Sequence, residues 1–409
     1  MKEPGDLVGP VEIGDVAHGG HCVARLPEEG DGARVIFVRH ALPGEQVMVR
    51  LTDTSHKRFW RGDAVEIVVG SADRRTPPCP AFHPGGCGGC DFQHATEAAQ
   101  RELKRRVVAE QLQRLGGLEW TGEVEEIAPV WNWRTRMRYQ VGPDHALGLR
   151  AHRSHEVIPL PPEGCRIATD PVAGGSGLGG PALGGSGVGR SGSDPLTGSD
   201  PDTADLESDE LLVVSTAQGI RTGRPGSREV IEERAAGRSY RLGLGGFWQV
   251  HPRAADVLVD AVLDGLAPRA GERAFDLYCG VGLFAGALAE RGVQVWGVEA
   301  ARSAIEHARH NVPDARFSVG RVERTLRTLP RTTDLVVLDP PRSGAGRAVL
   351  EQVTRRRPRA VAYVACDPAA LGRDVAYARD LGWRVTGIRA FDLFPQTHHV
   401  ECVATLRPA

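Results

Sequence analysis

From about residue 236 to the C-terminal residue, short apolar runs alternate with segments of helical character, and this alternation constrains the fold more than any other feature of the chain. The runs are Arg273-Ala274-Phe275-Asp276-Leu277, Val293 to Glu299, Asp334 to Asp339, Ala360 to Ala365 and Trp383 to Ile388. Near-continuous apolar strands separated by helices imply a parallel sheet covered on both faces. The expectation is a doubly wound, Rossmann-like α/β sheet whose ligands gather at the carboxyl ends of its strands.

The chain has 409 residues, too many for one core, so further domains are expected before residue 236. Residues 1–70 hold short runs with strand character, among them Val35-Ile36-Phe37-Val38, Gln46 to Leu51 and Ala64 to Val69, punctuated by glycine pairs and Pro43-Gly44. They suit a small all-β barrel of the OB-fold type, which serves either as a nucleic-acid platform or as a structural cap. Residues 71–235 read as a small α+β central domain. It has a proline- and cysteine-rich stretch, an arginine-rich helix at about Glu97 to Leu115, and strands around Met137 to Val141 and Ala146 to Arg150. Within it, residues 171–208 are low in complexity and poor in large apolar side chains, the composition of a disordered surface insertion.

A net charge of −2 gives no whole-molecule field that would attract a polyanion, so any nucleic-acid site must be local. No apolar run reaches the roughly 20 residues that a membrane helix needs, and Met1 to Pro10 has no apolar core of a signal peptide. A cytoplasmic protein with no membrane contact and no obligate protein partner is expected. For such a chain, 8 cysteines argue for metal or catalytic chemistry rather than a disulfide scaffold.

After the first strand of the alternating region comes Asp276-Leu277-Tyr278-Cys279-Gly280-Val281-Gly282-Leu283-Phe284. Glycines there allow positive φ and close approach of backbone to ligand. Glu299 closes the next strand, where an acid can hold ribose hydroxyls. The pattern fits a dinucleotide or S-adenosylmethionine. Asp276 beside the glycines and Asp339-Pro340-Pro341-Arg342 after a later strand favour the second. An acid there would repel a pyrophosphate and suits a cationic ligand.

Two further segments carry reactive groups. Cys366 follows the apolar strand Ala360 to Ala365, and Asp367-Pro368 fixes a turn that exposes a thiol at the active edge. Glu401 follows Phe394-Pro395-Gln396-Thr397-His398-His399-Val400, a carboxylate placed near that edge to take a proton. His398 and His399 read better as surface or satisfied core groups than as catalysts. Cys22, Cys279 and Cys402 read as small buried hydrophobes.

Cys79, Cys87 and Cys90 form C-x7-C-x2-C among glycines and prolines, with Cys165 a plausible fourth ligand. Four thiols fit structural zinc or an iron–sulfur cluster, and spacing alone does not choose between them. Arg101, Lys104, Arg105 and Arg106 recur at helical spacing, and Trp131 to Tyr139 interleaves arginine with aromatics. The latter is a composition suited to phosphate neutralisation and base stacking or, equally, to a solvated face over core tryptophans.

Together these motifs resemble the uracil-5 RNA methyltransferase family over nearly the whole chain outside 171–208. The resemblance implies a TRAM-type OB domain at 1–70, a central iron–sulfur and RNA-binding domain at 71–235 and a methyltransferase domain at 236–409. It implies a 4Fe–4S cluster on Cys79, Cys87, Cys90 and Cys165, although the gap between the first two is longer here than in many members. It also implies S-adenosylmethionine contacts from Gln249 (in Phe247-Trp248-Gln249-Val250), Tyr278, Glu299 and Asp339. Many members carry asparagine where Leu283 stands. Cys366 is the implied nucleophile, adding to uracil C6, and Glu401 the base that removes the C5 proton. The substrate implied is structured RNA, ribosomal RNA before transfer RNA. A dinucleotide-dependent oxidoreductase leaves Cys366, Glu401 and the cysteine cluster without a role. A non-catalytic RNA-binding protein leaves the sheet edge without one.

Overall fold

The computed structural model describes residues 2–27, 33–142, 146–169 and 210–409. The low-complexity segment 171–208 lies outside the described residues. At the N-terminal end, β1 (Leu7–Val16), β2 (Cys22–Pro27), β3 (Ala33–Arg39), β4 (Gln46–Asp53) and β5 (Phe59–Val69) close a barrel in the order β1-β2-β3-β5-β4. Side chains alternate in and out where the strands are regular, as the pleat requires, and bulges interrupt the alternation in β1, β4 and β5. In β4, Val47, Val49 and Leu51 point inward between exposed Gln46 and Arg50.

The next element, α1 (Glu97–Gly116), starts at an N-cap Thr96, whose side chain accepts a hydrogen bond from the Ala99 N–H. It ends at Gly117, whose φ of 57° supplies the left-handed C-terminal residue. Its Leu103 and Val107 join the barrel core, while Val108 and Leu112 join the core beneath the large sheet. One helix thus seals two cores. Four basic residues of α1 form ion pairs within the protein. Arg101 pairs with Glu126 at 2.6 Å, Arg105 and Arg106 with Glu102 at 2.6 and 2.9 Å, and Lys104 is buried against Asp392 at 2.5 Å. Their helical spacing therefore marks internal pairing.

The chain continues through β6 (Val124–Glu126), β7 (Arg136–Val141), β8 (Leu147–Arg150), β9 (Val157–Pro159), β10 (Glu210–Thr216) and β11 (Gly219–Gly223). All but β6 form a five-stranded sheet, β11-β10-β7-β8-β9. Trp133 and Tyr139, expected as possible base-stacking rings, are 0% exposed and sit in this region's core, so they cannot stack on RNA. A hairpin of β12 (Val230–Ala235) and β13 (Arg238–Gly243) leads into the last unit.

That unit contains α2 (Ala254–Leu266), β14 (Arg273–Leu277), α3 (Leu283–Ala289), β15 (Gln294–Glu299), α4 (Arg302–Asn311), β16 (Arg316–Val319), α5 (Val322–Thr325), β17 (Leu335–Leu338), α6 (Arg347–Thr354), β18 (Ala360–Ala365), α7 (Pro368–Asp380), β19 (Trp383–Asp392) and β20 (Glu401–Pro408). Its sheet runs β16-β15-β14-β17-β18-β20-β19-β6. Helices cover both faces. Along β18, Ala360, Ala362 and Val364 face the core under α2, α3 and α4, while Val361, Tyr363 and Ala365 face the core under α1, α6 and α7.

Two details differ from the expectation of a parallel sheet within 236–409. First, β20 is antiparallel to both neighbours. Residues 393–400, which join β19 to β20, hold no helix, and a parallel return needs a longer crossover. Second, the edge strand β6 comes from the central segment and pairs with β19 through Ala390–Val124 and Asp392–Glu126.

Candidate active site

The reversal of β20 has a chemical consequence. Tyr278, Glu299, Asp339 and Cys366 all follow carboxyl ends of parallel strands, and an antiparallel strand presents its first residue at that same edge. That residue is Glu401. Ala365 and Cys402 are register partners, so one step further along both strands sets Cys366 beside Glu401. The turn holding Cys366 is fixed by Asp367, which N-caps α7 by accepting the Ala370 N–H at 2.8 Å, with Pro368 in the first helical turn.

Cys366 is half-buried and lines a cavity of about 150 Å³. The barrel contributes His18, Gly19 and Gly20 to the cavity. Phe92, Lys104, Arg342, His398 and His399 also line it. Burial pushes the Cys366 thiol up to about 12, the neighbouring Glu401 pushes in the same direction, and Arg342 opposes both. Burial likewise holds the Glu401 carboxyl well above the carboxylate range, with Asp339 reinforcing and Arg342 countering it. Arg342, the last residue of the Asp339-Pro340-Pro341-Arg342 turn, is thus the cation acting on both reactive groups. The turn itself is anchored by buried Asp374, which accepts the Ala345 and Gly346 N–H groups at 2.8 and 3.0 Å and the Tyr363 hydroxyl at 2.6 Å.

The glycine loop lies between β14 and α3. Gly280 and Gly282 have φ of 52° and 92°, and a side chain at Gly280 would meet nothing within 4 Å, so open space borders the backbone there. Glu299 accepts the Gly280 N–H at 3.3 Å and the Ala301 N–H at 2.9 Å. Fully buried Asp276 accepts the Ala285 N–H at 2.8 Å through one oxygen, and its other oxygen has no hydrogen-bond partner. Burial and the neighbouring acids raise Asp276 to about 8 and Asp339 to about 7. Three carboxylates that repel one another, one with an orphaned oxygen, form an environment completed by a cation.

Gln249 is half-buried in the segment from β13 to α2, next to buried Trp248 and to Phe247, which is 75% exposed. Leu283 packs into the core, so its side chain is not a ligand.

Cys79, Cys87, Cys90 and Cys165 line one cavity of about 250 Å³. The Gly89 N–H points to the Cys87 sulfur at 3.4 Å. Among the described residues, no three His, Cys, Asp or Glu side chains close around a single metal ion.

Sequence reasoning missed His18, Lys104 and Asp91. His18 Nε2 lies 3.0 Å from Asp367 Oδ2, which ties the barrel to the residue after Cys366. Lys104 Nζ donates to Asp392 and to the Phe394 carbonyl at 3.0 Å. Asp91 takes the His398 ring at 2.7 Å. No local pattern marks these contacts, because each spans most of the chain.

The tRNA (Uracil-5-)-methyltransferase family description matches residues 326–408, and the TRAM domain description matches residues 8–65. A Streptomyces avermitilis protein described as an uncharacterized RNA methyltransferase is 50% identical over 435 aligned positions, covering 98% of each chain. The 23S rRNA (uracil(1939)-C(5))-methyltransferase RlmD of Shewanella sp. (strain MR-4) is 31% identical, over 91% of this chain and 90% of that one. The solved structure of Pyrococcus abyssi tRNA (uracil-54, C5)-methyltransferase in complex with S-adenosyl-L-homocysteine shares the fold, with a TM-score of 0.67 at 22% identity over 97% of this chain and 99% of that one. The chain belongs to the RNA uracil-5-methyltransferase family and is an S-adenosylmethionine-dependent RNA methyltransferase.

Proposed function

We propose that this enzyme methylates C5 of a uridine in 23S ribosomal RNA, with Cys366 as nucleophile and Glu401 as base. The observation that carries the chemistry is the antiparallel register that sets Glu401 beside Cys366. Uracil C5 is a poor nucleophile. The Cys366 thiol releases its proton to solvent, a loss that Arg342 favours, and the thiolate adds to C6, breaking the C5–C6 double bond and placing its electron pair in an enolate that makes C5 reactive. The cofactor supplies the methyl group. Glu401, acting in the ionised form that Arg342 favours against burial, then takes the C5 proton, the C5–C6 double bond reforms, and the sulfur leaves as thiolate. This is nucleophilic catalysis that divides one hard step into easier ones. A uridine must leave its stack to reach the cavity, which favours bases already unpaired in RNA loops.

The acids Glu299 and Asp339, with Tyr278 and Gln249, are the residues we assign to S-adenosylmethionine. The orphaned Asp276 oxygen and the raised carboxyls fit a sulfonium. Cys79, Cys87, Cys90 and Cys165 are assigned to a 4Fe–4S cluster. The support is that the four thiols line one cavity and that Cys165 and Cys87 both act on the buried Cys90 thiol, the chemistry of a shared metal site. Anaerobically purified protein is then brown, and Cys87→Ser removes the visible absorption. Colourless protein with stoichiometric zinc contradicts this assignment.

Ribosomal RNA is favoured by the 31% identical relative whose name specifies 23S rRNA, with alignment over most of both chains. The test is to map 5-methyluridine in ribosomal and transfer RNA from a deletion strain. Loss from 23S rRNA alone is expected. Loss from transfer RNA alone moves the assignment there, and no loss from either overturns it.

A further inference from the structure

The loop that carries Cys90 is bonded directly to the loop that ends in Glu401. The Asp91 and Phe92 N–H groups both donate to the Gln396 carbonyl, at 2.8 and 3.0 Å. In return, the Asp91 carboxylate accepts the His398 N–H at 3.0 Å and contacts the His398 ring at 2.7 Å. Gln396 is 0% exposed with φ of 69°, a left-handed conformation that an L residue rarely adopts. It is held there by a reciprocal pair with Gln100: the Gln396 N–H donates to Oε1 at 2.9 Å, and Gln100 Nε2 donates to the Gln396 side-chain oxygen at 2.8 Å. Arg39 approaches the other face of Asp91 at 3.8 Å and donates to the Cys90 carbonyl at 3.4 Å. Residues 393–400 are a connection without helix or strand, yet they line the Cys366 cavity through His398, His399 and Val400 and deliver Glu401. Within the loop, Thr397 donates to the Phe394 carbonyl and accepts the His399 N–H, while the bonds that hold Gln396 and His398 to the rest of the molecule come from the cysteine-bearing segment and from α1.

We propose that Asp91 is a positioning residue: the Cys90-Asp91-Phe92 segment braces residues 394–400, so the state of the cysteine site sets the placement of Glu401. The inference rests on the reading of Glu401 as base and of the four cysteines as cluster ligands. It gives the cysteine site a task in catalysis without contact with the substrate. Disorder in the Cys90 loop releases Gln396 and His398, and Glu401 drifts from its position beside Cys366. Sulfur addition and methyl transfer need no base at C5 and continue, whereas proton removal and release of the sulfur slow.

The experiment compares Asp91→Ala, His398→Ala, the double variant and Glu401→Gln, each with iron content measured. For Asp91→Ala with full iron, kcat should fall on the order of 10- to 100-fold, the scale of a misplaced catalytic group, with KM for RNA little changed. RNA joined covalently to Cys366 should accumulate on a denaturing gel. The double variant should be no worse than the poorer single one, as for two partners in one contact. Hydrogen exchange of residues 394–400 should quicken in Asp91→Ala with the cluster in place, and quicken likewise in the unmodified protein after iron chelation. Wild-type turnover and exchange in Asp91→Ala overturn the proposal. If Asp91→Ala loses its iron, His398→Ala decides: full iron, normal turnover and normal exchange also overturn it. If Glu401→Gln traps adduct and the other variants do not, the brace fails while the catalytic assignment stands. If Glu401→Gln traps none, the catalytic assignment itself fails.

Discussion

Asp339 illustrates how single residues at this site trade stability for function. Its carboxyl is raised to about 7 by burial and by Glu299. The folded protein therefore holds this proton above the ordinary carboxylate range, where the unfolded chain has released it. The sign follows: the contribution of Asp339 to stability is greatest at acid pH and falls as pH rises from about 4 to about 7. Asp339→Asn removes the charge and keeps the shape. At pH 8 it should raise the melting temperature of the free protein by on the order of a few degrees, and it should abolish stabilisation by S-adenosylmethionine. A lower melting temperature, or an intact cofactor shift, contradicts the electrostatic account of the site. Asp276, Asp339 and Glu299 were legible in the sequence because each ends an apolar strand of the repeating pattern. The unsatisfied oxygen of Asp276 was not, since it depends on what packs over the loop.

At the scale of elements, α1 joins the barrel, the sheet and the catalytic loop. It lies close to α7: a methyl group added at Gly372 would sit 2.7 Å from the Gln111 carbonyl oxygen, so glycine sets the approach. Through that contact the helix that begins at Asp367-Pro368 is held against the one that carries Lys104. Lys104 and Asp392 have side chains 0% and 3% exposed. Breaking such a pair strands a buried charge, at a cost of about 3–5 kcal/mol. Lys104→Met should destabilise by about that amount in denaturant unfolding, and Lys104→Met with Asp392→Leu should recover a good part of it. A double variant no better than the single shows that the charge is not what the site penalises. Periodicity in Glu97 to Leu115 foretold the helix but not the partners of its basic residues. Helical spacing says which side chains share a face, and Glu126 and Asp392, which neutralise two of them, are fixed only by tertiary packing. For Trp131 to Tyr139 the sequence left base stacking and core rings open, and packing decides for the core at Trp133 and Tyr139.

At the scale of the whole molecule, the reactive cavity is assembled from three regions: the β1–β2 turn of the barrel, the cysteine-bearing segment with α1, and the carboxyl edge of the sheet. The contact from His18 to Asp367 draws the barrel onto the Cys366 turn, and Asp367 raises the His18 imidazole above its usual range. That link is fully present below the ordinary histidine pKa and is lost as pH rises through the raised one. Linear patterns located the glycine loop, Cys366 and Glu401, because strand ends are local features. They put Glu401 near the thiol edge but did not give the register that pairs it with Cys366, since that depends on β20 returning antiparallel, and they did not bring His18 to the cavity or Asp91 to the loop that lines it. The central claim is that Cys366 and Glu401 act at opposite ends of one covalent cycle. It is tested most directly by incubating RNA and S-adenosylmethionine with Cys366→Ala, Glu401→Gln and the double variant, then separating the products on a denaturing gel. Glu401→Gln should accumulate methylated RNA joined to the protein, and the other two should show no shifted band. Normal turnover by Glu401→Gln, or methylation by Cys366→Ala, contradicts the account.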